Sequence, residues 1–217
     1  MFVDWHGVMS SEYFWSAVLS DSNHRLNGAA TDVAATIFRT RPTLAKQWMT
    51  GELASCEVIH LAGPEKSAKE RAALLRCLTR SCRQMRPDPL ISQVLRELSK
   101  ARVVRVLATD NMDCFYDASD AIPELRYLFD VLLCSSELGT LKSECAQRFF
   151  GGWLASNGIS SADAYLVDDS TTNCSLFRQM GGWAAHATTP SDALVALQEL
   201  RQHFEAPGAS PLTYWTR

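Results

Sequence analysis

The sequence of 217 residues lacks several patterns that would place it in a special class of protein. It has no basic excess, since 21 lysines and arginines stand against 24 acidic residues and the formal net charge is −3. Surfaces that bind nucleic acid are usually rich in lysine and arginine, so we expect no nucleic-acid partner. The longest apolar runs, such as residues 103–108, are too short to cross a bilayer, and we expect no membrane association.

The seven cysteines also lack the spacing of a known framework. None of them forms a Cys-x-x-Cys pair, and an odd number does not suit a complete set of disulfides. Free thiols are typical of a reducing compartment. No basic and apolar leader with a small-residue cleavage site precedes Asp4. We therefore expect a soluble, cytoplasmic protein.

Short apolar runs alternate with amphipathic helical patterns along much of the chain. Hydrophobic residues make up 47% of the sequence, which is enough for one globular domain or a core with a small insertion. The alternation predicts an α/β fold with a Rossmann-like parallel sheet of about five strands flanked by helices. The first predicted strand ends at Asp4, and the other four lie at residues 103–108, 131–134, 164–167 and 183–186.

Residues 11–83 interrupt this alternation, because they read as helices with almost no strand signal. We expect them to form an all-helical cap subdomain inserted into a core made of residues 1–10 and 84–205. The tail at residues 206–217 begins with proline, glycine and serine and is expected to fray. The chain contains no internal repeat and no low-complexity segment.

Polar residues stand where four of the predicted strands end. Asp4 follows the first strand, Thr109 the second, and Asp168 with Asp169 the fourth, while Lys142 lies in the loop after the third. Each has an ordinary explanation, such as a turn, a helix cap or a solvated surface lysine. Because parallel strands end at the same edge of a sheet, we expect these residues to converge on one site.

This set of side chains is what phosphoryl transfer requires. A carboxylate can attack phosphorus, while a lysine and a hydroxyl can hold the charged phosphoryl oxygens. Carboxylates this close together would repel one another without a cation, and Mg²⁺ is the divalent ion that prefers hard oxygen ligands. The sequence therefore predicts a Mg²⁺ site with a phosphorylated small molecule as its partner.

The motifs in this order resemble those of the haloacid dehalogenase-like (HAD) hydrolase superfamily. They are D-W-H-G-V at residues 4–8, Thr109, Lys142 and D-D-S-T-T-N at residues 168–173. The resemblance spans residues 1–10 and about 88–200. Family members with a small helical cap have that cap at the position that residues 11–83 occupy in this sequence.

The resemblance implies roles for the groups around phosphorus. Asp4 would be the nucleophile and form an aspartyl-phosphate, while Thr109 and Lys142 would bind the phosphoryl group. Asp110 would lie in the same phosphate-binding loop, in place of the small residue or asparagine that is expected there. Ser143 replaces a common proline after the lysine.

The resemblance also implies a ligand set for Mg²⁺. The ion would be bound by the carboxylate of Asp4, the backbone carbonyl of His6, and Asp169. Asp168 and Asn173 would support this shell from outside, and Asp168 could also bind through a water molecule.

The main departure from the family pattern is His6, which stands where phosphatases of the family have a second aspartate. An imidazole can protonate a leaving oxygen and later activate water, but it can also serve only through its carbonyl. A phosphonate-cleaving branch carries D-W-A-G-T here and needs a cap lysine, for which Lys46, Lys66 and Lys69 are equal candidates. The acidic pair makes metal-free dehalogenation an unexpected activity.

We therefore predict a Mg²⁺-dependent hydrolase, a phosphatase of a small organic phosphomonoester, acting as a monomer or homodimer. The alternatives are a catalytically impaired HAD-like binding or regulatory module, and a phosphonate-cleaving or phosphotransferase variant of the same fold. Four aromatic residues either line the space under the cap or belong to the ordinary core, which is the favoured interpretation. They are Trp5, Phe14, Trp15 and Trp48.

Overall fold

A computed structural model describes residues 1–101, 103–205 and 212–217. Its centre is a five-stranded sheet in the order β3-β2-β1-β4-β5, and every neighbouring pair of strands is parallel. This confirms the predicted α/β fold with a Rossmann-like sheet flanked by helices. The strands are β1 (Phe2–Val3), β2 (Val106–Thr109), β3 (Val131–Cys134), β4 (Tyr165–Asp168) and β5 (Trp183–His186).

Both faces of the sheet are buried, because successive side chains of a strand point in opposite directions. In β1, Val3 belongs to the larger apolar cluster of the molecule and Phe2 to the smaller one. The ring of Phe2 packs edge-to-face on Phe150 and Phe177, with centroids 5.1 and 5.7 Å apart. A strand covered on both sides reads as a short continuous apolar run, which is the pattern seen in the sequence.

The helices of the core follow the sheet strands in alternation. Asp88 caps the helix Pro89–Lys100 by accepting hydrogen bonds from the backbone of Leu90 and Ile91, and Pro89 takes the first helical position. The core helices are α6 (Pro89–Lys100), α7 (Asp113–Ser119), α8 (Pro123–Leu128), α9 (Ser135–Leu138), α10 (Gly152–Ser156), α11 (Thr171–Gln179) and α12 (Pro190–Glu205), with a π-helical turn at Gln147–Gly151 and a 3₁₀ turn at Ser161–Asp163.

Five helices lie between β1 and α6, and no strand occurs there in the described residues. They are α1 (Ser16–Leu19), α2 (Asn27–Ala35) with a π-helical continuation at Thr36–Thr40, α3 (Pro42–Met49), α4 (Ser55–Ala62) and α5 (Ala68–Gln84). The boundaries of a cap at residues 11–83 stay a prediction.

This helical segment contacts the first turns of α7 and α9, the helices that follow β2 and β3. The carboxylate of Asp113 accepts hydrogen bonds from the indole of Trp48 at 3.0 Å and from the backbone of Ser55 at 2.9 Å. Gly51 has φ +70°, and a Cβ there would lie 2.2 Å from the carbonyl oxygen of Ser136. Only glycine permits this approach, so the helical segment is fixed close to the carboxyl edge of the sheet.

Two strands are shifted from their predicted positions. Pairing in β2 begins at Val106, because the backbone and side chain of the preceding Arg105 are turned to Asp130. Residues 103–105 are therefore outside the strand, contrary to the prediction. The strands β2 and β4 also extend one residue further than predicted, which places Thr109 and Asp168 at their last positions.

The predicted frayed tail lies outside the described residues at positions 206–211. The prediction of fraying is wrong for residues 212–217, because Trp215 is buried and its indole donates to the carbonyl of Ala196 at 3.0 Å. Thr216 forms an antiparallel bridge with Ala184 of β5. In the described ranges, no helix is both long and apolar enough to span a membrane.

Candidate active site

Two aspartates meet at the centre of the carboxyl edge of the sheet. Val3 pairs with Val167, and the backbone amide of Asp4 donates to the carbonyl of Val167 at 3.0 Å. Asp4 therefore stands level with Asp168, the last residue of the neighbouring strand. Both carboxylates are buried, with exposed fractions of 7% and 0% for the two residues.

Lys142 joins these two carboxylates. Its ammonium lies 2.9 Å from Oδ1 of Asp4 and 2.6 Å from Oδ2 of Asp168, and it donates to the carbonyl of Ala108 at 3.2 Å. The residue is 1% exposed. The backbone amide of Lys142 donates to the carboxylate of Asp110 at 2.9 Å, which fixes the loop after β3 against the loop after β2. The ordinary alternative, a solvated surface lysine, is thus wrong.

Charge and burial act against each other in this cluster. Burial raises the pKa of Asp4 to about 8, although the adjacent ammonium of Lys142 lowers it. Burial alone would lower the pKa of Lys142, but the carboxylates of Asp4, Asp168 and Asp110 outweigh burial and raise it. The lysine is therefore charged, and it is outnumbered by acidic groups. A further cation at this edge would favour the ionised form of Asp4.

Asp169 supplies a third carboxylate to the same place. One oxygen each from Asp4, Asp168 and Asp169 can be chosen so that all three atoms lie within 4.8 Å of one another. Burial and the neighbouring charge of Asp168 raise the pKa of Asp169. Oxygen donors at this spacing fit a hard divalent ion such as Mg²⁺.

Gly7 allows the first loop to pack against this third carboxylate. Its φ is +80°, and a Cβ on Gly7 would lie 2.2 Å from Oδ2 of Asp169. Any other residue would displace the Asp169 side chain or the loop itself. The Gly that follows His6 in the first motif is therefore explained by the geometry of the acidic cluster.

The two neighbouring aspartates differ in their surroundings. Oδ1 of Asp168 accepts hydrogen bonds from the backbone of Ser170 at 2.8 Å and from the amide of Asn173 at 3.0 Å, while Oδ2 contacts Lys142. Protein donors thus occupy both oxygens of Asp168. Asp169, in contrast, lines an open cavity. The side-chain oxygen of Asn173 is buried and has no hydrogen-bond partner within the described part of the chain.

Two residues that the sequence did not single out, Asn111 and Ser135, support the loop after β2. Thr109 is 1% exposed, and its hydroxyl accepts a hydrogen bond from the side chain of Asn111 at 3.4 Å. The backbone amide of Asn111 donates to the hydroxyl of Ser135 at 2.9 Å. Ser135 directly follows β3, and Asn111 lies two residues after the end of β2, so closeness to a strand end was the available signal. They brace the loop that carries Thr109 and Asp110.

His6 lies between two adjoining cavities. One has a volume of about 580 Å³ and is lined by polar groups, among them Asp4, Lys142 and Asp169; we call it the anionic cavity. The other has a volume of about 390 Å³ and is lined mainly by aromatic and methionine side chains; we call it the apolar cavity. His6 and Asp110 line both cavities. The His6 ring packs on Tyr13 with centroids 4.3 Å apart.

The fold is shared with solved HAD enzymes. A magnesium complex of a HAD family enzyme from Bacteroides thetaiotaomicron is 17% identical, with 84% of this chain and 89% of that chain covered and a TM-score of 0.62. A predicted HAD-like hydrolase from Porphyromonas gingivalis is 14% identical, covers 84% and 87%, and has a TM-score of 0.60. An L-2-haloacid dehalogenase is 15% identical, covers 88% and 85%, and has a TM-score of 0.59.

The sequence by itself matches no model of a known protein family, and no curated protein matches it. At these identities the likeness extends to the fold: the chain has the α/β fold of HAD family enzymes, a fold that hosts both magnesium-binding enzymes and dehalogenases. The residues at the carboxyl edge must decide between such activities.

Proposed function

We propose that this protein is a Mg²⁺-dependent hydrolase that releases phosphate from a small organic phosphomonoester. The observation that carries the proposal is the buried contact of Lys142 with Asp4 inside an acidic cluster that opens into the anionic cavity. A HAD enzyme of the same fold has been solved with magnesium and inorganic phosphate at 17% identity and a TM-score of 0.58, which supports this assignment.

The residues present suit a magnesium ion. Asp4, Asp169 and the backbone carbonyl of His6 would hold it, and Asp168 and Asn173 would orient this shell from outside. When bound, Mg²⁺ would offset the surplus negative charge and polarise the phosphoryl oxygens. Asp168 suits the supporting role because protein donors occupy both of its oxygens.

Asp4 would act as the nucleophile in the first of two displacements at phosphorus and as the leaving group in the second. Its carboxylate oxygen attacks phosphorus, the bond to the leaving oxygen breaks, and the substrate alcohol departs with a proton from the His6 imidazolium. Water then attacks the aspartyl-phosphate and gives its proton to His6, and the bond from Asp4 to phosphorus breaks to release inorganic phosphate. Lys142 and Thr109 would hold the phosphoryl oxygens. Asp110 fixes Lys142 by accepting a hydrogen bond from the backbone amide of the lysine.

The phosphonate-cleaving alternative is poorly supported, because it needs an unprotonated lysine facing the site. Lys46 forms an ion pair with Glu144, which raises the pKa of that lysine. Lys66 is bound to Asp32, and this contact likewise raises the pKa of Lys66. The described residues that line the two cavities include none of the three candidate lysines, Lys46, Lys66 and Lys69.

The test is a phosphate-release screen with and without Mg²⁺. We expect release from at least one small phosphomonoester, dependent on Mg²⁺, and no release by Asp4→Asn, whose amide is not a nucleophile. Halide release from 2-haloacids without metal would instead identify a dehalogenase. An inactive wild-type protein that still binds Mg²⁺ and inorganic phosphate would identify a binding module.

The role of His6 has a separate test, because His6→Ala removes the imidazole and keeps the backbone carbonyl. We expect turnover to fall about 10²- to 10⁴-fold while Mg²⁺ affinity stays the same. Unchanged turnover in His6→Ala would remove the imidazole from the mechanism.

A further inference from the structure

The apolar cavity adjoins the candidate active site. Its volume of about 390 Å³ lies within the usual range for small-molecule sites, and it shares His6 and Asp110 with the anionic cavity. A molecule whose phosphate lies beside Asp4 can therefore extend past the His6 ring into this second space. The portion that enters it is the portion that departs as an alcohol.

Aromatic and methionine side chains form the walls of the apolar cavity. Trp5, Trp15 and Met112 are each 1% exposed and form its buried part. Tyr13 and Phe38 remain 64% and 43% exposed at its opening. Large apolar side chains grouped around one opening mark a binding surface, whereas scattered ones carry no such meaning.

The charges around the apolar cavity are negative. No lysine or arginine is among its lining residues in the described part of the chain, whereas Glu12 and Asp110 are. The carboxylate of Glu12 accepts from the backbone of Arg86 at 2.7 Å, and that of Asp110 from the backbone of Lys142 at 2.9 Å. A second anionic group on a ligand would meet repulsion here and no counter-ion.

We infer that the substrate is the phosphomonoester of an uncharged, mainly hydrocarbon alcohol, whose aliphatic or aromatic part fills the apolar cavity. This inference rests on the proposed function. It excludes substrates with a second phosphate or a carboxylate on the leaving group. It also disfavours sugar phosphates, because walls made mainly of aromatic and methionine side chains, with the indole nitrogen of Trp5, unpaired within the described residues, among their few polar atoms, would leave most sugar hydroxyl groups without partners.

The test is a series of primary alkyl phosphates, from ethyl to pentyl phosphate, with 4-carboxybutyl phosphate as the charged counterpart of the last. Their leaving alcohols are chemically alike, so differences report binding of the chain. We expect kcat/KM to rise about three- to fourfold per methylene until the cavity is filled. We expect 4-carboxybutyl phosphate to be a poorer substrate than pentyl phosphate, its uncharged counterpart. A flat series, or a preference for the carboxylate, would overturn the inference.

A variant at the opening sharpens this test. Phe38→Arg puts a cation where the inference requires an apolar side chain, so the kcat/KM ratio of pentyl to 4-carboxybutyl phosphate should fall about fivefold or more. Tyr127→Arg is the control, because Tyr127 is also exposed, at 74%, and does not line the apolar cavity. An equal ratio in both variants would contradict the inference.

Failure of the inference can be told apart from failure of the proposed function. If other phosphomonoesters are hydrolysed but none in the alkyl series is, the inference alone fails. If no phosphomonoester of any kind is hydrolysed, the proposed function fails, and the apolar cavity is then tested by saturation-transfer NMR with benzyl alcohol. A signal that is lost in Phe38→Arg and kept in Tyr127→Arg would support an apolar ligand there. The absence of a signal from the wild-type protein would overturn it.

Discussion

The two edges of the parallel sheet each hold a buried cation, but the charge around it differs. At the amino edge, Arg105 forms a two-pronged contact with Asp130, in which NH2 lies 2.8 Å from Oδ1 and Nε lies 3.2 Å from Oδ2. At the carboxyl edge, Lys142 faces Asp4 and Asp168 at once, with Asp169 close by. The first edge is balanced, and the second has more acid than base.

The difference separates a structural ion pair from a candidate reaction site. Arg105 also donates to the carbonyls of Leu95 and Tyr127, and the side chain of its partner Asp130 is 44% exposed, so backbone carbonyls satisfy the guanidinium and water reaches the carboxylate. The acidic cluster around Lys142 is more deeply buried, and a divalent cation would complete its charge. Burial alone therefore does not mark function; surplus charge beside a cavity does.

The largest contrast should come from removing one carboxylate at each edge. We expect Asp4→Asn to lower phosphate release by about 10⁴-fold or more, because the amide cannot attack phosphorus. Asp130→Asn is the matched change at the amino edge and should leave phosphate release unchanged. Activity of Asp4→Asn within tenfold of the wild-type protein would contradict the proposed difference between the two edges.

Removing the cation should also affect the two edges unequally. Lys142→Met leaves two buried carboxylates facing each other and should cost about 3–5 kcal/mol of unfolding free energy without divalent ions. Arg105→Met should cost about 1–2 kcal/mol, because water can reach Asp130. Urea unfolding measures both values. Equal losses would mean that the carboxyl edge is an ordinary ion pair.

Two glycines with positive φ can separate backbone strain from crowding at the proposed Mg²⁺ site. Gly7 has φ +80° and would place a Cβ on Asp169, whereas Gly158 has φ +65° and open space around it. We expect Gly7→Ala to weaken Mg²⁺ binding about 10- to 100-fold. Calorimetry should find the Mg²⁺ affinity of Gly158→Ala unchanged. A similar loss in both variants would assign the effect to general strain.

The smallest effect concerns acid stability at the amino edge. The side-chain hydrogen bond from Arg105 lowers the pKa of Asp130 below its ordinary value of 3.8. A lowered folded-state pKa means that the ionised group stabilises the protein above pH 3.8 and that this contribution is lost as the pH falls further. Asp130→Asn should therefore flatten the acid side of the stability profile by less than about 1 kcal/mol. An unchanged profile between pH 5 and pH 3 would show that the pair is not coupled to folding.

The strand ends were predictable because a buried strand leaves a short apolar run with a polar residue after it. Asp4, Thr109 and Asp168 were found in this way, and the parallel topology that unites them followed from the strand and helix alternation. The burial of Lys142 was not predictable, because it depends on how the loop after β3 packs on β2. The contact of Asp110 with that loop was hidden for the same reason.

The apolar cavity was beyond the reach of the sequence. Its walls come from residues far apart in the chain, such as Trp5, Phe38 and Met112, and each of them looks like an ordinary core residue on its own. The core interpretation is confirmed for Trp48, which is fully buried and bound to Asp113. Trp5 and Trp15 are likewise buried core residues, but they also line the apolar cavity, as does the partly buried Phe14. Secondary-structure patterns do not distinguish these two cases.

The most direct test of the acidic cluster is a calorimetric titration of Mg²⁺ into the wild-type protein and into Asp169→Asn. The ion pairs of Lys142 are with Asp4 and Asp168, so Asp169→Asn keeps both of them. We expect one site in the wild-type protein and an affinity at least about tenfold lower in Asp169→Asn. No binding to the wild-type protein, or equal affinities in the two proteins, would contradict the account.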